Sequence, residues 1–263
     1  MVDPFHIDAL HMMLGALSGI LVGFTLGLVG GGGSILAVPL MVYLVGVPSP
    51  HVAIGTSAFA VAANAATGLV QHARIGNVRW RCGAMYALSG VFGALLGSTV
   101  GKAIDGQKLL FLFALVMIVV GVLMLRGRRN QGEPSAQCNR DNAPKVLGFG
   151  LGTGAFSGFF GIGGGFLIVP GLIASTAMPM INAVGTSLVA VTAFGLTTAF
   201  NYAISGLVDW VLAAVFIGGG VLGGFAGTAT ARRLSSTGTL TTVFAVLIFG
   251  VAAYMLWKSG SSL

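Results

Sequence analysis

Gly30-Gly31-Gly32-Gly33-Ser34 opens a stretch, GGGGSILAVP, that ends at Pro39. This run of glycines lies inside an apolar segment, where it is costly to a helix. A second copy, Gly161-Ile162-Gly163-Gly164-Gly165, continues to Pro170 about 130 residues later. A period of that size is typical of a duplicated half rather than of a short structural repeat. We therefore predict two homologous halves, each containing a glycine-broken helix.

The composition predicts a membrane protein. Of the 263 residues, 56% are hydrophobic and only 7% are charged, whereas soluble domains contain about 25% charged residues. So little polar surface cannot cover a water-soluble protein, which leaves an all-α polytopic membrane protein embedded in a lipid bilayer. The net charge of +7 comes from basic residues between apolar runs, where they act as topology signals. We therefore expect no nucleic-acid partner.

Apolar runs divide each half into about five segments. We predict a first transmembrane repeat at residues 1–126, a cytoplasmic linker at 127–145 and a second repeat at 146–263, with about 8–10 transmembrane segments of which two are glycine-broken or re-entrant. The predicted segments are 9–29, 34–47, 52–72, 82–100 and 109–125, then 146–160, 166–177, 181–204, 211–229 and 240–257.

Two topologies follow from whether the short segments 34–47 and 166–177 cross the bilayer. If they cross, each half has an odd number of crossings and the second half is inverted. The basic stretches 74–81, 126–145 and 232–233 then share one side, the cytoplasm by the positive-inside rule, and both termini face outward. If they do not cross, the halves are parallel and the basic stretches no longer all fall on one side of the membrane. We favour the inverted arrangement.

The glycine runs are also candidate binding elements. Glycines at membrane depth expose backbone N–H groups at the start of the following helix, and these groups need partners. A helix start carries a partial positive charge, so an anion is a natural ligand without any Lys or Arg. The alternative is that the glycines only allow helices to cross closely. Because matching runs in both halves are typical of a transporter binding site, we favour the site.

A second matched motif supports this prediction. Gly55-Thr56-Ser57 in the first half corresponds to Gly185-Thr186-Ser187 in the second. Hydroxyl groups can donate hydrogen bonds to an oxyanion without bringing a charge into lipid. Alternatively, they bond to the preceding helical turn or join helices. The predicted substrate-binding residues are Gly31, Gly32, Gly33, Ser34, Thr56, Ser57, Gly163, Gly164, Gly165, Thr186 and Ser187.

Other chemistry is sparse in the sequence. His51 and His72 are candidates for a proton relay, although each lies near a segment end, where a helix-capping role is the alternative. The sequence contains no nucleophile–base pair, P-loop ending or metal-ligand cluster, so we expect no enzyme activity, cofactor or metal. Cys82 and Cys138 are far apart and match no redox or metal spacing, so we expect two free thiols.

The chain resembles the sulfite exporter TauE/SafE (TSUP) family of membrane permeases. The resemblance lies in residues 30–39 and 161–170, in the two Gly-Thr-Ser motifs, and in the loops Gly76-Asn77-Val78-Arg79-Trp80 and Gly206-Leu207-Val208-Asp209-Trp210. The two halves differ at one position of the glycine runs, where Gly165 in the second half corresponds to Ser34 in the first. The resemblance implies a multi-pass permease of the bacterial inner membrane for small sulfur-containing anions such as sulfite, thiosulfate or organosulfonates.

This expectation leaves the mechanism open. A secondary transporter would be coupled to a proton or another ion, or would act as a uniporter. An anion channel with the same ligands and a non-transporting membrane scaffold are the alternatives. A homo-oligomer is compatible with the sequence.

Overall fold

A computed structural model of the protein describes residues 9–126, 138–139, 142–161, 165–234 and 249–257. All regular secondary structure in these ranges is helical. The first half contains α1 (Ala9–Val29), a first arm (residues 30–45), α2 (Pro50–Arg74), α3 (Trp80–Lys102) and α4 (Gly106–Arg126). The second half contains α5 (Ala143–Phe160), a second arm (Gly165–Thr176), α6 (Met180–Ile204), α7 (Trp210–Leu234) and α8 (residues 249–257).

The helix lengths confirm the predicted fold class. Five helices, α1, α2, α3, α6 and α7, are each long and apolar enough to cross a membrane. The protein is therefore an all-α polytopic membrane protein, as its composition predicts. The predicted start and end of α1 agree with the structure, because the apolar run stops at the first glycine of the glycine run.

The first arm is a broken helix. It begins as a 3-10 helix, Gly30–Leu36, passes through a short α turn, Ala37–Pro39, and ends as a π turn, Leu40–Val45. Glycine weakens the first part, and Pro39 supplies no N–H for a helical hydrogen bond. The second arm is one α-helix that contains Pro170. Of its glycine run, Gly163 and Gly164 lie outside the described residues.

Each arm returns the chain towards the end of the molecule at which the preceding helix begins. Gly30 adopts the left-handed region, with φ +68°, and reverses the chain after α1. The Thr25 hydroxyl then donates a 3.2 Å hydrogen bond to the Gly33 carbonyl oxygen, and Gly46, just beyond the arm, lies beside His11. The first arm thus runs back along α1, so α2 starts near the end at which α1 started.

The two halves are inverted, as favoured from the sequence. Helices α2 and α6 are the equivalent central helices of the two repeats, and they pack antiparallel. Gly55 near the start of α2 lies against the Leu207 backbone just beyond the end of α6, and Gly185 near the start of α6 lies against the Asn77 backbone just beyond the end of α2. Equivalent helices that run in opposite directions require a two-fold relation between inverted repeats.

The halves also exchange helices. Helix α1 packs in parallel against α7 of the second half, and α5 packs in parallel against α3 of the first half. Both contacts are made by glycines four residues apart, which let backbones approach closely. In α1 these are Gly19, Gly23 and Gly27, and in α5 they are Gly150, Gly154 and Gly158.

Two intertwined bundles result from this exchange. Bundle I contains α1, the first arm, α2 and α7, and bundle II contains α5, the second arm, α6 and α3. Helices α2 and α6 form the interface between the bundles, together with the contact between the two arms.

One end of the molecule, which we call the basic end, is formed by the end of α2, the start of α3, the end of α4, the start of α5 and the end of α7. Residues of α2 (Gln71, Arg74) and of α7 (Thr228, Ala229) line a common groove there. The basic stretches 74–81 and 232–233 therefore share an end, as predicted. Most of the linker at 127–145 lies outside the described residues.

The prediction that Cys82 and Cys138 are free thiols is wrong. The two residues form a disulfide, with their Cα atoms 5.4 Å apart. Their sequence separation of 56 gave no hint of this. The pair forms because α3 and α5 pack in parallel, which brings the first turn of α3 beside Cys138, five residues before α5.

Candidate functional site

The turns of the two glycine runs lie at the interface between the bundles. Gly30 packs against Val184 of α6, and Gly161, with φ +67°, packs against Ile54 of α2. Val184 and Ile54 occupy equivalent positions, each directly before a Gly-Thr-Ser motif. The structure therefore brings each glycine run onto the motif of the other half. Both turn glycines need positive φ, which other residues adopt with difficulty.

A hydrogen bond joins the first glycine run to the second motif. The Gly31 N–H donates to the Ser187 hydroxyl oxygen at 3.2 Å, and the Ser187 hydroxyl donates to the Val184 carbonyl oxygen at 2.7 Å. The Gly31 carbonyl oxygen directly contacts Gly165 of the second arm, so the two glycine runs also touch each other. Ser57 donates to the Ile54 carbonyl oxygen at 3.1 Å, which matches the second bond of Ser187.

The threonines of the two motifs hold loops. The Arg79 N–H donates to the Thr186 hydroxyl oxygen at 2.9 Å, and the Asp209 N–H donates to the Thr56 hydroxyl oxygen at 2.9 Å. Each loop carries the chain from one bundle into the other, and each threonine belongs to the bundle that receives it. The two bonds thus fix the exchanged helices α3 and α7 at their starts. Such joining of helices is the role that the sequence analysis gave as the alternative to anion binding.

The interface is closed in this structure. The side chains of Ser34, Thr56, Ser57, Thr186 and Ser187 are all at most 1% exposed. Ser34 donates to the Gly31 carbonyl oxygen at 2.9 Å, so its hydroxyl, like those of Ser57 and Ser187, bonds to a backbone carbonyl of the protein. An anion could therefore reach these donors only after the bundles part.

The two candidate relay histidines lie far apart. His51 is the second residue of α2 and is half-buried, whereas His72 lies in the last turn of the same helix and is buried. A separation of 21 residues along one α-helix is about 31 Å. No proton can pass directly between them over that distance. His51 instead lies beside Tyr202, with 6.3 Å between the ring centroids.

A family model of the sulfite exporter TauE/SafE matches residues 15–255, which is nearly the whole chain. The chain belongs to the TauE/SafE family. This match confirms the resemblance and identifies the protein as a membrane transporter of that family.

Relatives of this TauE/SafE protein carry consistent names. A "Probable membrane transporter protein" of Xylella fastidiosa (strain 9a5c) is 54% identical over 255 residues, covering 94% of this chain and 95% of that protein. The "Probable membrane transporter protein YunE" of Bacillus subtilis (strain 168) is 25% identical over 263 residues, covering 91% and 95%. A "Probable membrane transporter protein" of Haemophilus influenzae is 28% identical over 204 residues, covering 74% and 75%. No solved structure matches the chain.

Lys102 has a role in the TauE/SafE fold that the sequence did not reveal. Its ammonium donates to the carbonyl oxygen and the Oδ1 of Asn201, at 3.0 and 2.9 Å, and to the Ser205 hydroxyl oxygen at 2.9 Å. These acceptors lie at the end of α6, where a cation complements the helix dipole. Nothing in the sequence indicated that α3 ends beside α6, so these contacts of Lys102 could not be predicted.

Proposed function

We propose that this TauE/SafE transporter moves small sulfur-containing anions, such as sulfite, thiosulfate or organosulfonates, across the bacterial inner membrane. The observation that carries the proposal is the paired packing of each glycine turn on the Gly-Thr-Ser motif of the other half. Paired, glycine-broken helices at repeat-related positions are the arrangement in which transporters bind substrates.

The chemistry of the interface suits an oxyanion. When the bundles part, the Gly31 N–H loses its acceptor on Ser187, and the Ser187 hydroxyl becomes free to turn towards the gap. An N–H or O–H that bonds to an ionised oxygen makes a stronger hydrogen bond than one that bonds to a neutral oxygen. An anion with several oxygens can therefore replace the lost bonds and offset the cost of separation. No fixed positive charge is needed within the membrane.

The inverted repeats suggest how transport proceeds. Two halves with opposite orientations can exchange their conformations, which converts a state open to one side into a state open to the other. We propose that α2 and α6 separate first at one end and then at the other, with the anion held between the glycine turns. A coupled proton or other ion would drive net movement, and without coupling the protein would act as a uniporter.

Counterflow in proteoliposomes tests the proposal. Proteoliposomes that contain the purified protein are loaded with unlabelled sulfite or thiosulfate. Entry of the labelled anion is then measured with sulfate and chloride as competitors. We expect saturable, sulfur-anion-selective counterflow that Ser187→Ala slows at least tenfold. Ser89→Ala is the matched control, because the Ser89 hydroxyl bonds to carbonyl oxygens of its own helix at 3.4 and 3.2 Å.

Each other outcome has a defined meaning. Flux that does not saturate and shows no counterflow would indicate an anion channel. Counterflow that Ser187→Ala leaves unchanged in folded protein would place the anion elsewhere. If neither anion is transported, the substrate class is wrong.

A further inference from the structure

The disulfide between Cys82 and Cys138 joins two helix starts of bundle II. Cys82 lies in the first turn of α3. Cys138 is followed by Asn139, whose N–H donates to the Asn142 Oδ1 at 2.9 Å and whose carbonyl oxygen accepts a 3.1 Å bond from the Ala143 N–H. These bonds place Cys138 against the turn that begins α5. The disulfide therefore ties the first half to the second at the basic end.

The charge distribution assigns this end to the cytoplasm. Of the Lys and Arg residues that the structure describes, seven belong to segments at the basic end, namely Arg74, Arg79, Arg81, Arg126, Lys145, Arg232 and Arg233, whereas Lys102 and Lys108 lie at the other end. Cytoplasmic loops of membrane proteins carry such an excess. Disulfides are rare in the cytoplasm, where thiol systems keep cysteines reduced, and those found there are usually redox-sensing or catalytic. A disulfide at this end thus suggests a reversible bond.

The surroundings of the pair favour thiol chemistry. A pocket of about 260 Å³ is lined by both cysteines together with Val78, Arg79, Trp80 and Arg81. Both cysteines thus adjoin open space, although each cysteine as a whole is at most 2% exposed. Neighbouring arginines and a helix start both stabilise a thiolate, which is the reactive form of cysteine.

We propose that Cys82 and Cys138 are a reversible thiol–disulfide site through which the redox state of the cytoplasm controls transport. A dithiol reductant attacks one sulfur of the pair, the Cys82–Cys138 bond breaks through a mixed disulfide, and the second thiol of the reductant completes the exchange. Two electrons and two protons pass to the protein, which gains two thiols, and the reductant becomes a disulfide. A disulfide oxidant reverses the same exchange.

The oxidised pair restrains a segment that lies next to the candidate site. The Gly83 N–H bonds to the Arg79 carbonyl oxygen at 2.9 Å within the turn that holds Cys82. The N–H of Arg79 is in turn bound by Thr186, which precedes the Ser187 that contacts Gly31. The loop that ends at Arg79 carries the chain from bundle I into bundle II. The disulfide fixes the bundle II end of this loop to the start of α5, so it limits how far the loop can follow α2 when the bundles part. We expect the oxidised protein to transport more slowly than the reduced protein.

The first test uses the wild-type protein in growing cells. Cells are quenched with acid and their thiols are labelled with a maleimide that shifts the protein on a gel. We expect two free thiols in untreated cells, none after diamide, and two again after dithiothreitol. A pair that stays oxidised in untreated cells and resists dithiothreitol in the folded protein would overturn the proposal. This readout does not depend on the transported anion.

The second test measures regulation and rests on the proposed function. Counterflow of sulfite and thiosulfate is compared in proteoliposomes that contain oxidised or reduced protein, using Cys82→Ser and Cys138→Ser as variants. We expect reduction to raise the wild-type rate at least threefold, with both variants at the reduced rate under either condition. Equal rates in oxidised and reduced wild type would overturn the regulatory role. Absence of all counterflow would instead refute the substrate class, while the thiol labelling would still decide whether the bond is reversible.

Discussion

The backbone N–H of Gly31 and the hydroxyl oxygen of Ser187 lie 3.2 Å apart across the interface between the two bundles. This bond joins a glycine run of one half to the Gly-Thr-Ser motif of the other. It can persist only while the interface is closed, so its removal should act on the closed state.

Ser187→Ala should destabilise the closed protein. The change leaves the Gly31 N–H buried without its acceptor, and an unsatisfied buried donor costs about 1–3 kcal/mol. We expect a lower melting temperature in detergent, measured by tryptophan fluorescence. Ser89→Ala, the matched control, should change the melting temperature much less. An equal loss in both variants would show that the Gly31 bond contributes nothing specific.

Thr56→Val and Thr186→Val should have similar effects, because the two threonines hold equivalent loops. Each change removes the acceptor of one backbone N–H, at a cost of about 1–3 kcal/mol. The two bonds lie at opposite ends of the α2–α6 pair, so the effects should add in the double variant. Resistance to unfolding by SDS measures this.

Thr192→Val is the control for the threonine pair, since the Thr192 hydroxyl bonds to the Leu188 carbonyl oxygen of its own helix at 2.8 Å. It should leave stability nearly unchanged. A loss in the double variant that is no larger than in either single variant would contradict independent loop contacts.

Gly165→Ala should prevent closure of the interface. A Cβ at this position would overlap the backbone of Gly31, which cannot move aside as a flexible side chain would. We expect little folded protein in size-exclusion chromatography and no counterflow. At Gly152 of α5 an added Cβ meets nothing within 4 Å, so Gly152→Ala should fold and should gain roughly 0.5–1 kcal/mol from helix propensity. Normal folding and transport in Gly165→Ala would refute the close contact of the two runs.

Lys102→Met should loosen the contact between α3 and α6. It removes three donors and a favourable charge at the end of α6. Because Lys102 is partly exposed, solvent screening reduces the expected loss to about 1 kcal/mol. The melting temperature should fall by a few degrees, whereas Lys108→Met, at an exposed position, should have little effect. Comparable melting temperatures in the two variants would argue against a stabilising role for Lys102.

The inverted topology predicts on which side of the membrane a reporter protein will lie when it is fused at a given residue. Green fluorescent protein inserted after residue 130 should fluoresce, because the linker joins α4 and α5 at the basic end and that end should face the cytoplasm. The same reporter after residue 263 should be dark when exported by the general secretory route, and alkaline phosphatase there should be active. The opposite pattern would show that the basic end faces away from the cytoplasm. Fluorescence at both positions would exclude an odd number of crossings per half.

Much of the fold follows from the sequence, since apolar runs and glycines are local signals. The limits of α1 and the break at Gly30 are set by residues that lie side by side in the chain. The matched Gly-Thr-Ser motifs also mark α2 and α6 as the equivalent helices of the two halves. The direction of the halves followed from the basic stretches near Arg74 and Arg232.

The partners of these residues were not predictable, because a repeat gives the order of elements and not their neighbours. Nothing near Thr186 indicates that its hydroxyl binds the N–H of Arg79, 107 residues away. The Cys82–Cys138 bond and the contacts of Lys102 depend likewise on the exchange of α3 and α7 between bundles. Glycines four residues apart in α1 and α5 allow close packing in the structure, but nothing in the sequence identifies α7 and α3 as their partners.

The exchange of helices also constrains how the protein is made. Helix α1 ends at Val29 and its glycine face packs against α7, which begins at Trp210. Ribosomes add about 5–20 residues per second, so roughly 10–40 s pass before that partner is synthesised. During this interval the nascent α1 must stay in the bilayer with its glycines covered by lipid or by an insertion factor. Biogenesis of this transporter should therefore depend on the insertion machinery for longer than that of a protein whose halves fold one after the other.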